Sequence, residues 1–212
     1  SFVIKANNIK LGDFSGYNKG IGLGQGANAT GQNSGVLGWN STASGLGAVA
    51  IGENSTASGN YSVALGANAV ASGHASCSFG NTNLSSGYGA FSMGQETEAY
   101  GYASSSMGYI TKAVGKASFS TGYYTVGSGM GSAVFGTFND IDVPADSSEI
   151  NAANRLFQIG NGTGISGNRS NALTVLQSGN IGIGTVLPLY KLEITGNLAV
   201  GGFSKIISTF PT

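Results

Sequence analysis

The sequence predicts an all-β protein, most of which is a parallel β-roll, a solenoid of 14-residue repeats. Glycine occupies every seventh position from Gly24 to Gly136 without a miss, in a chain with 37 glycines among 212 residues. The segments between these glycines alternate two kinds of seven-residue half, which makes the repeat 14 residues long. Such a fixed short period is typical of stacked solenoids. Helices are excluded, because each glycine in a helix interior costs about 1 kcal/mol and the apolar residues show no 3.6-residue period.

Each repeat is expected to supply one longer and one shorter strand. The first half reads Ser/Ala, apolar, small, apolar, Gly, as in residues 62–66. Its alternation places Val63 and Leu65 on one face of a strand and Ala64 on the other. The second half is smaller and more polar, as in residues 53–59. The glycines are expected at the corners, since glycine adopts positive φ without a Cβ penalty.

The larger apolar residues are predicted to point into the coil. Their main column is Ile51, Leu65, Phe79, Met93 and Met107. The single cysteine, Cys77, is expected to pack inward with them as a small hydrophobe. So thin a coil cannot enclose these residues on all sides. The sequence therefore predicts an obligate homo-oligomer whose core lies between chains.

Composition divides the chain into five parts. Residues 1–20 are an N-terminal lead-in, 21–136 the β-roll, 137–155 a connector, 156–200 a second β-rich segment and 201–212 a C-terminal tail. The connector is predicted to be polar and solvated, because it holds four of the nine acidic residues and the first proline.

The second segment is predicted to contain longer strands and one tight hairpin. Its turn lies at Gly179 and Asn180, a favourable pair for a short β-turn. The predicted strands are 156–159, 172–176, 181–183, 190–194 and 198–200.

The charge content indicates an extracellular fibre. Charged residues make up 8% of the chain, against about 25% in ordinary soluble domains. The net charge is zero, so no basic surface is available for nucleic acid or anionic lipid. No apolar run reaches the roughly 18 residues needed to span a bilayer, so this segment is not expected to insert into a membrane.

No enzyme activity is predicted. His74 is the only histidine and is expected to be a solvent-facing corner residue. Glu96 and Glu98 are the only close acidic pair in the repeats and are expected on one strand face. A glycosidase needs two carboxylates roughly 5–9.5 Å apart, so a glycan-degrading tailspike is kept as an alternative.

Neither a cofactor nor a metal is predicted. Residues 162–167 match the G-x-G-x-x-G pattern, but a β-like run follows them, whereas a dinucleotide site needs a helix. The connector carboxylates could supply oxygens to Ca²⁺ but lack the EF-hand spacing. They are Asp140, Asp142, Asp146 and Glu149.

Aromatic residues that follow the repeat glycines are the candidate receptor contacts. Tyr88 and Tyr102 are 14 residues apart and should stack on adjacent turns, as should Tyr109 and Tyr123; Trp39 shares the column of the second pair. Exposed aromatic rings suit contacts with sugars or a protein receptor. The alternative, which we favour from the spacing, is a ladder that stiffens the roll or packs between chains.

Residues 62–73 resemble the head repeat of the YadA-type trimeric autotransporter adhesins. This resemblance implies a left-handed parallel β-roll with three chains side by side. A resemblance to the segment that follows such heads in phage tail fibres is seen at residues 157–163, 169–175, 179–185, Pro188 and 191–194. Together these resemblances imply a homotrimeric extracellular fibre, on a bacterial surface or a virion tail, that attaches to a glycan or protein receptor of a host.

An ice-binding solenoid is a further alternative. It would need a regular threonine column on a flat exposed face, and one column becomes threonine-rich only in its last three members. The column is Ala27, Ser41, Ser55, Ala69, Asn83, Thr97, Thr111 and Thr125.

Overall fold

The structure, a computed structural model, describes residues 20–141, 145–165 and 167–199. Within these residues the chain forms strands and turns and contains no helix, as predicted. The lead-in before residue 20 and the tail 201–212 lie outside the described residues. The division of the chain into five parts stays a prediction.

The repeats form seventeen strands that alternate in length. They are β1 (Ile21–Leu23), β2 (Asn28–Ala29), β3 (Gly35–Trp39), β4 (Thr42–Ala43), β5 (Val49–Glu53), β6 (Thr56–Ala57), β7 (Val63–Ala67), β8 (Val70–Ala71), β9 (Cys77–Asn81), β10 (Leu84–Ser85), β11 (Phe91–Gln95), β12 (Glu98–Ala99), β13 (Ser105–Tyr109), β14 (Lys112–Ala113), β15 (Phe119–Tyr123), β16 (Val126–Gly127) and β17 (Ala133–Thr137).

These strands stack into two parallel sheets. The odd-numbered strands form one sheet and the even-numbered strands form the other, each strand pairing with the strand two places along. The register is 14 residues throughout: Val49 pairs with Val63, and Val63 pairs with Cys77. At a strand spacing of roughly 4.8 Å, the nine odd-numbered strands extend over about 38 Å.

The predicted alternation is correct, but the assignment of its two faces is wrong. Ala50 and Ala64 are fully buried, whereas Leu65 and Met93 are each 41% exposed. Cys77 also lies on the outer face of its strand, only partly buried. An alternating pattern defines two faces without identifying the inner one. The coil is so thin that only small side chains fit inside it.

The interior is built from alanine, serine and threonine. Ten of the thirteen buried hydrophobic residues in the described ranges are alanines. Some of their polar neighbours bond to the backbone: the Ser55 hydroxyl donates to the carbonyl of Gly66 at 2.9 Å. The threonine-rich column proposed for ice binding lies here as well, because Ser55, Thr111 and Thr125 are fully buried. It therefore does not form an exposed ice-binding face.

The repeat glycines serve two different purposes. In the odd-numbered strands they have φ between +96° and +150°, as Gly66 does at +141°. The intervening glycines, such as Gly59, do not have positive φ. In both series a Cβ would meet the next turn: at Gly66 it would lie 1.9 Å from the Gly80 oxygen, and at Gly59 2.0 Å from the Gly73 oxygen.

The left-handed corner positions lie two residues after each repeat glycine, and most of them are not glycine. Asn54, Tyr61 and Ile110 have φ of 51°, 58° and 51°. The prediction that the repeat glycines adopt positive φ at the corners is therefore only half correct. Close approach between turns is the requirement that both glycine series share.

The connector folds over the open end of the coil. The Asn139 side chain accepts a hydrogen bond from the amide of Val126 at 2.8 Å and donates to its carbonyl at 3.0 Å, which continues the pairing of β16. Asn139 is fully buried, and Asn154 is 2% exposed. The connector is therefore a cap on the roll as well as a polar link, a role that its composition did not indicate.

The second segment extends the longer sheet. It contains β18 (Arg155–Asn161), β19 (Asn171–Leu176), β20 (Ile181–Ile183) and β21 (Leu192–Ile194). Strand β18 pairs in parallel with β17, so it forms a further turn of the same sheet, and β19 and β20 then add antiparallel. The sheet has thirteen strands in all.

The hairpin between β19 and β20 has the predicted turn. Gly179 has φ of 82° and donates to the carbonyl of Leu176 at 2.9 Å. The predicted strand 190–194 begins only at Leu192. Leu198 and Ala199 are not in a strand, contrary to prediction, and Val200 lies outside the described residues.

Replacing Gly66 with alanine is expected to destabilise the roll strongly. The new Cβ would overlap the Gly80 carbonyl, and alanine would have to adopt φ of +141°. Overpacking and backbone strain together predict a loss of about 3 kcal/mol. Denaturant unfolding followed by circular dichroism measures this loss.

Gly35→Ala is the matched control, because a Cβ at Gly35 meets nothing within 4 Å. It is expected to change the unfolding free energy by less than about 1 kcal/mol. Equal losses of unfolding free energy in Gly66→Ala and Gly35→Ala would contradict the role assigned to the close approach of successive turns.

Candidate functional site

Four rings form a ladder at the corner that leads into the longer strands. We call Tyr61, His74, Tyr88 and Tyr102 the entry ladder. His74 stacks on Tyr88 with ring centroids 4.6 Å apart and planes 4° from parallel. Tyr88 stacks on Tyr102 at 5.0 Å and 6°. Tyr61 meets the edge of His74 at 5.6 Å. The stack of His74, Tyr88 and Tyr102 follows from the repeat, which places these three side chains one strand spacing apart.

A second group of rings lies at the corner that follows the longer strands. Tyr109, Tyr123, Tyr124 and Phe138 form what we call the exit cluster. Tyr109 stacks on Tyr123 at 5.3 Å, and Tyr124 stacks on Phe138 at 4.9 Å. Tyr123 meets Tyr124 edge-on at 4.8 Å. The predicted stacking of both tyrosine pairs is thus confirmed.

Arg169 joins the exit cluster to the second segment. Its guanidinium lies 5.9 Å from the centre of the Phe138 ring. It also donates to the carbonyls of Tyr124 at 3.1 Å and Asn139 at 3.0 Å. Burial lowers the pKa of Arg169, and the nearby Asp140 opposes that shift. Arg169 thus holds the loop before β19 against the end of the roll.

Trp39 differs from the four predicted tyrosines. It lies in the column of Tyr109 and Tyr123, as the register of the sheet requires. It is 46% exposed and has no ring neighbour among the described residues. Glu53 is its neighbour on the next strand. No aromatic ring in the described part of the chain covers a face of Trp39.

The ladders restrict what the tyrosines can offer a ligand. In a stack, each ring covers a face of the next, so Tyr88 presents mainly its edge and hydroxyl. An aromatic side chain that binds a sugar by stacking must have one ring face uncovered. Tyr88 and Tyr102 remain 49% and 54% exposed, enough for contact with a protein surface. Their role in receptor contact stays a prediction.

Sequence reasoning missed Tyr61, Tyr124 and Phe138 because it considered only the residue directly after each glycine. These three lie one position further on, in the column of left-handed corner residues. The 14-residue spacing between Tyr124 and Phe138 was the signal that could have identified them.

The residues weighed for catalysis do not form a catalytic group. Glu96 lies at a corner with φ of 55°, not on a strand face with Glu98 as predicted. Glu98 is paired with Lys112 at 2.6 Å and accepts a hydrogen bond from the Tyr100 hydroxyl at 2.7 Å. His74 is partly buried within the entry ladder and is not the solvent-facing residue that was predicted.

Two of the connector carboxylates, Asp140 and Asp146, make local contacts. Asp140 pairs with Arg155, which is 4% exposed. Asp146 accepts hydrogen bonds from the amides of Ser148 and Glu149, and these bonds lower its pKa. Asp142 lies outside the described residues.

The remaining sequence signals for ligands lead to no site in the described ranges. No group of three His, Cys, Asp or Glu side chains suited to a metal occurs there. The residues after Gly167 lead into strand β19 and not into a helix.

Cys77 is the only cysteine of the chain. Its burial raises the pKa of its thiol.

Comparison with known families identifies the repeat. Residues 43–69 match the model of the YadA head domain repeat, in two copies. No curated protein matches the chain. The matched residues run from β4 to β8 and share their register with the rest of the roll. The match and the shared register of the roll fit YadA-type head repeats. In the described part of the chain, no helix is long and apolar enough to cross a membrane.

The Tyr100 hydroxyl is expected to titrate near pH 12. Burial, and then the hydrogen bond to Glu98 and its charge, raise the pKa of Tyr100 from 10.0 to about 12. Because the folded value lies above the ordinary one, the stability that this tyrosine contributes is complete below pH 10.0 and is lost as the pH rises to about 12.

Glu98→Gln removes the charge but retains a hydrogen-bond acceptor, so it should lower the pKa of Tyr100 only in part. The phenolate absorbance of each protein, minus that of its Tyr100→Phe counterpart, isolates this titration. An unchanged pKa of Tyr100 in Glu98→Gln would contradict the contribution assigned to the charge of Glu98.

Proposed function

We propose that this chain is a structural and adhesive segment of an extracellular homotrimeric fibre that attaches to a host cell or receptor. The observation that carries the proposal is a largely apolar surface that runs along the thirteen-stranded sheet. We call this surface the apolar seam. Covering such a surface with copies of the chain would complete the core that the thin coil lacks.

Two columns of outward side chains make up the apolar seam. Paired residues in a sheet point to the same side, so the columns follow the register from strand to strand. The first column is Gly35, Val49, Val63, Cys77, Phe91, Ser105, Phe119, Ala133, Phe157, Val175, Ile181 and Leu192. The second is Leu23, Leu37, Ile51, Leu65, Phe79, Met93, Met107, Thr121, Phe135, Ile159, Leu173, Ile183 and Ile194.

Exposure of the apolar seam supports association. Leu37 is 54% exposed, Leu65 41%, Phe135 39% and Leu192 56%. At the usual strand spacing the seam runs for about 58 Å, longer than the scattered apolar patches of a monomer. Because Phe157 and Ile181 continue the columns, the second segment would join the same interface.

Three chains, rather than two, follow from the likeness to YadA-type adhesins, which are typically trimeric. The same likeness favours a bacterial cell surface over a virion tail. Left-handed winding is part of the proposal on the same ground. Three identical chains would also present three identical receptor-binding surfaces, which raises avidity without any new contact.

Receptor contact is assigned to the aromatic corners, with Trp39 as the ring whose faces have no stacking partner. Tyr88, Tyr102, Tyr109 and Tyr123 would contribute edges and hydroxyl groups. The receptor is a cell-surface glycan or protein. The tailspike alternative receives no support from the geometry, because Glu98 is ion-paired with Lys112 and Glu96 lies at a corner and not on the same strand face.

The first test is the mass of the purified chain in solution. Light scattering is expected to give three times 21.1 kDa. A stable mass of one chain would overturn the proposal.

Leu65→Lys should reduce the mass toward that of one chain, because a charge in a closed apolar interface carries a large desolvation cost. Ser72→Lys, at an exposed position just after β8, is the control and should remain assembled. Retention of the three-chain mass by Leu65→Lys would show that the apolar seam is not the interface.

The second test uses Trp39 as a reporter, since it is the only tryptophan in the chain. Titration with host surface glycans and extracted surface proteins should change its fluorescence in a saturable way. Trp39→Ala should weaken cell adhesion at least tenfold, in the range of an interface hot spot of about 2 kcal/mol.

Tyr190→Ala is the control, because Tyr190 is exposed but lies far along the chain from the corners. Undiminished adhesion by Trp39→Ala and by Tyr88→Ala would contradict the assignment of receptor contact to the aromatic corners.

A further inference from the structure

Two tyrosines of the entry ladder are placed as close, parallel and half-exposed neighbours. The Tyr88 and Tyr102 rings are 5.0 Å apart and 6° from parallel. They are 49% and 54% exposed. The two tyrosines precede strands β11 and β13, which pair in a fixed register with Phe91 opposite Ser105. The rings are therefore held side by side by the sheet while their outer edges remain open to solvent.

We propose that Tyr88 and Tyr102 are a site of oxidative coupling, at which dityrosine joins two adjacent turns of the roll. The oxidant is hydrogen peroxide acting through a haem peroxidase. Each phenol gives up one electron and its hydroxyl proton, and the two electrons and two protons reduce one peroxide to two water molecules.

The two phenoxyl radicals then couple through the ring carbons beside their oxygens. One carbon–carbon bond forms. The hydrogen on each of these carbons moves to the oxygen of its own ring, which restores both phenols. The product has two hydrogen atoms fewer than the starting chain. The half-exposed rings can swing about their Cα–Cβ bonds to reach the geometry of the product.

Neighbouring rings direct the coupling to this pair. His74 lies on Tyr88 at 4.6 Å, so it covers the face turned away from Tyr102. Tyr61 lies beyond His74, against its edge. Tyr102 is thus the phenol that the Tyr88 radical meets. The stacked pair Tyr109 and Tyr123 is less free to swing, because Tyr124 packs edge-on against both rings.

The dityrosine link would join two adjacent turns covalently along the axis of the roll. A solenoid unfolds by losing turns from its ends, since each turn contacts only its neighbours. A covalent bond between residues 14 apart closes a short loop and limits the freedom of the unfolded chain, as a disulfide does. This inference depends on the fold of one chain and not on the proposed function.

The experiment treats the full chain at low concentration with horseradish peroxidase and hydrogen peroxide. Digestion after Glu96 and Glu98 separates Tyr88 from Tyr102 unless a link joins them. Mass spectrometry should find the two fragments joined, with a mass two hydrogens below their sum. The chain should still run as one chain on a denaturing gel, and its thermal midpoint should rise.

Tyr102→Phe keeps the ring stack but removes one phenol, so the joined fragments should disappear. Tyr190→Phe is the control, because Tyr190 is 70% exposed and has no ring neighbour among the described residues; its joined fragments should be unchanged. Oxidation of the urea-unfolded chain should lose the preference for Tyr88 and Tyr102.

Three results would overturn the proposal. They are the absence of dityrosine, links that involve Tyr190 as often as Tyr88, and links found only between chains. Light scattering of the unoxidised protein reports on assembly separately, so failure of the coupling and failure of the proposed trimer are distinguishable.

Discussion

The structure depends on the close approach of each glycine to the backbone of the next turn. A Cβ at Gly52 or Gly66 would lie 1.9 Å from a carbonyl oxygen of the turn that follows. This contact recurs every seven residues, so the chain must return to the same position after 14. It also keeps each turn short. A turn with two short strands encloses only small side chains, which is why Ala50, Ala64 and their equivalents fill the interior.

The small interior places most of the apolar surface outside. Burial of one methylene contributes about 0.8 kcal/mol, whereas burial of a whole leucine or phenylalanine contributes about 1.5–3 kcal/mol. Alanine in the coil therefore supplies little, and Leu65, Met93 and Phe135 supply their larger share only when another surface covers them. Inside the coil, some hydroxyls are paired: Ser55 donates to a backbone carbonyl, and Ser106 bonds to Thr111. Pairing reduces the desolvation cost of these groups. The buried hydroxyls of Thr97, Ser104 and Ser118 have no such partner among the described residues and add nothing to offset theirs. In the proposed fibre, folding of the chain and association of chains would be coupled for this reason.

Much of the fold could be predicted because the close approach of successive turns requires glycine, so the glycine spacing gives the length of each turn. The strands, their parallel pairing and the 14-residue register follow from it, as does the stacking of Tyr88 on Tyr102. The inner face could not be assigned, since the alternation of Val63, Ala64 and Leu65 is the same whichever side is buried. The capping role of Asn139 was equally inaccessible, because it depends on contacts with β16 and Gln158 that no local pattern records. Of the aromatic corners, sequence reasoning located the column directly after the glycines but missed Tyr61, Tyr124 and Phe138, one position further on.

Termination explains why the second segment departs from the repeat. A stack of parallel turns ends in unpaired backbone groups, which can recruit further strands. The shorter sheet ends at β16, where the Asn139 amide occupies both groups of Val126. The longer sheet continues through β18 and then reverses, so that β19 and β20 are antiparallel. Another 14-residue turn would have to pair in parallel with the last strand of the roll, and an antiparallel strand added there takes up that edge. The roll therefore ends without losing the outward apolar columns, which pass from Phe135 to Ile159 and on to Leu173.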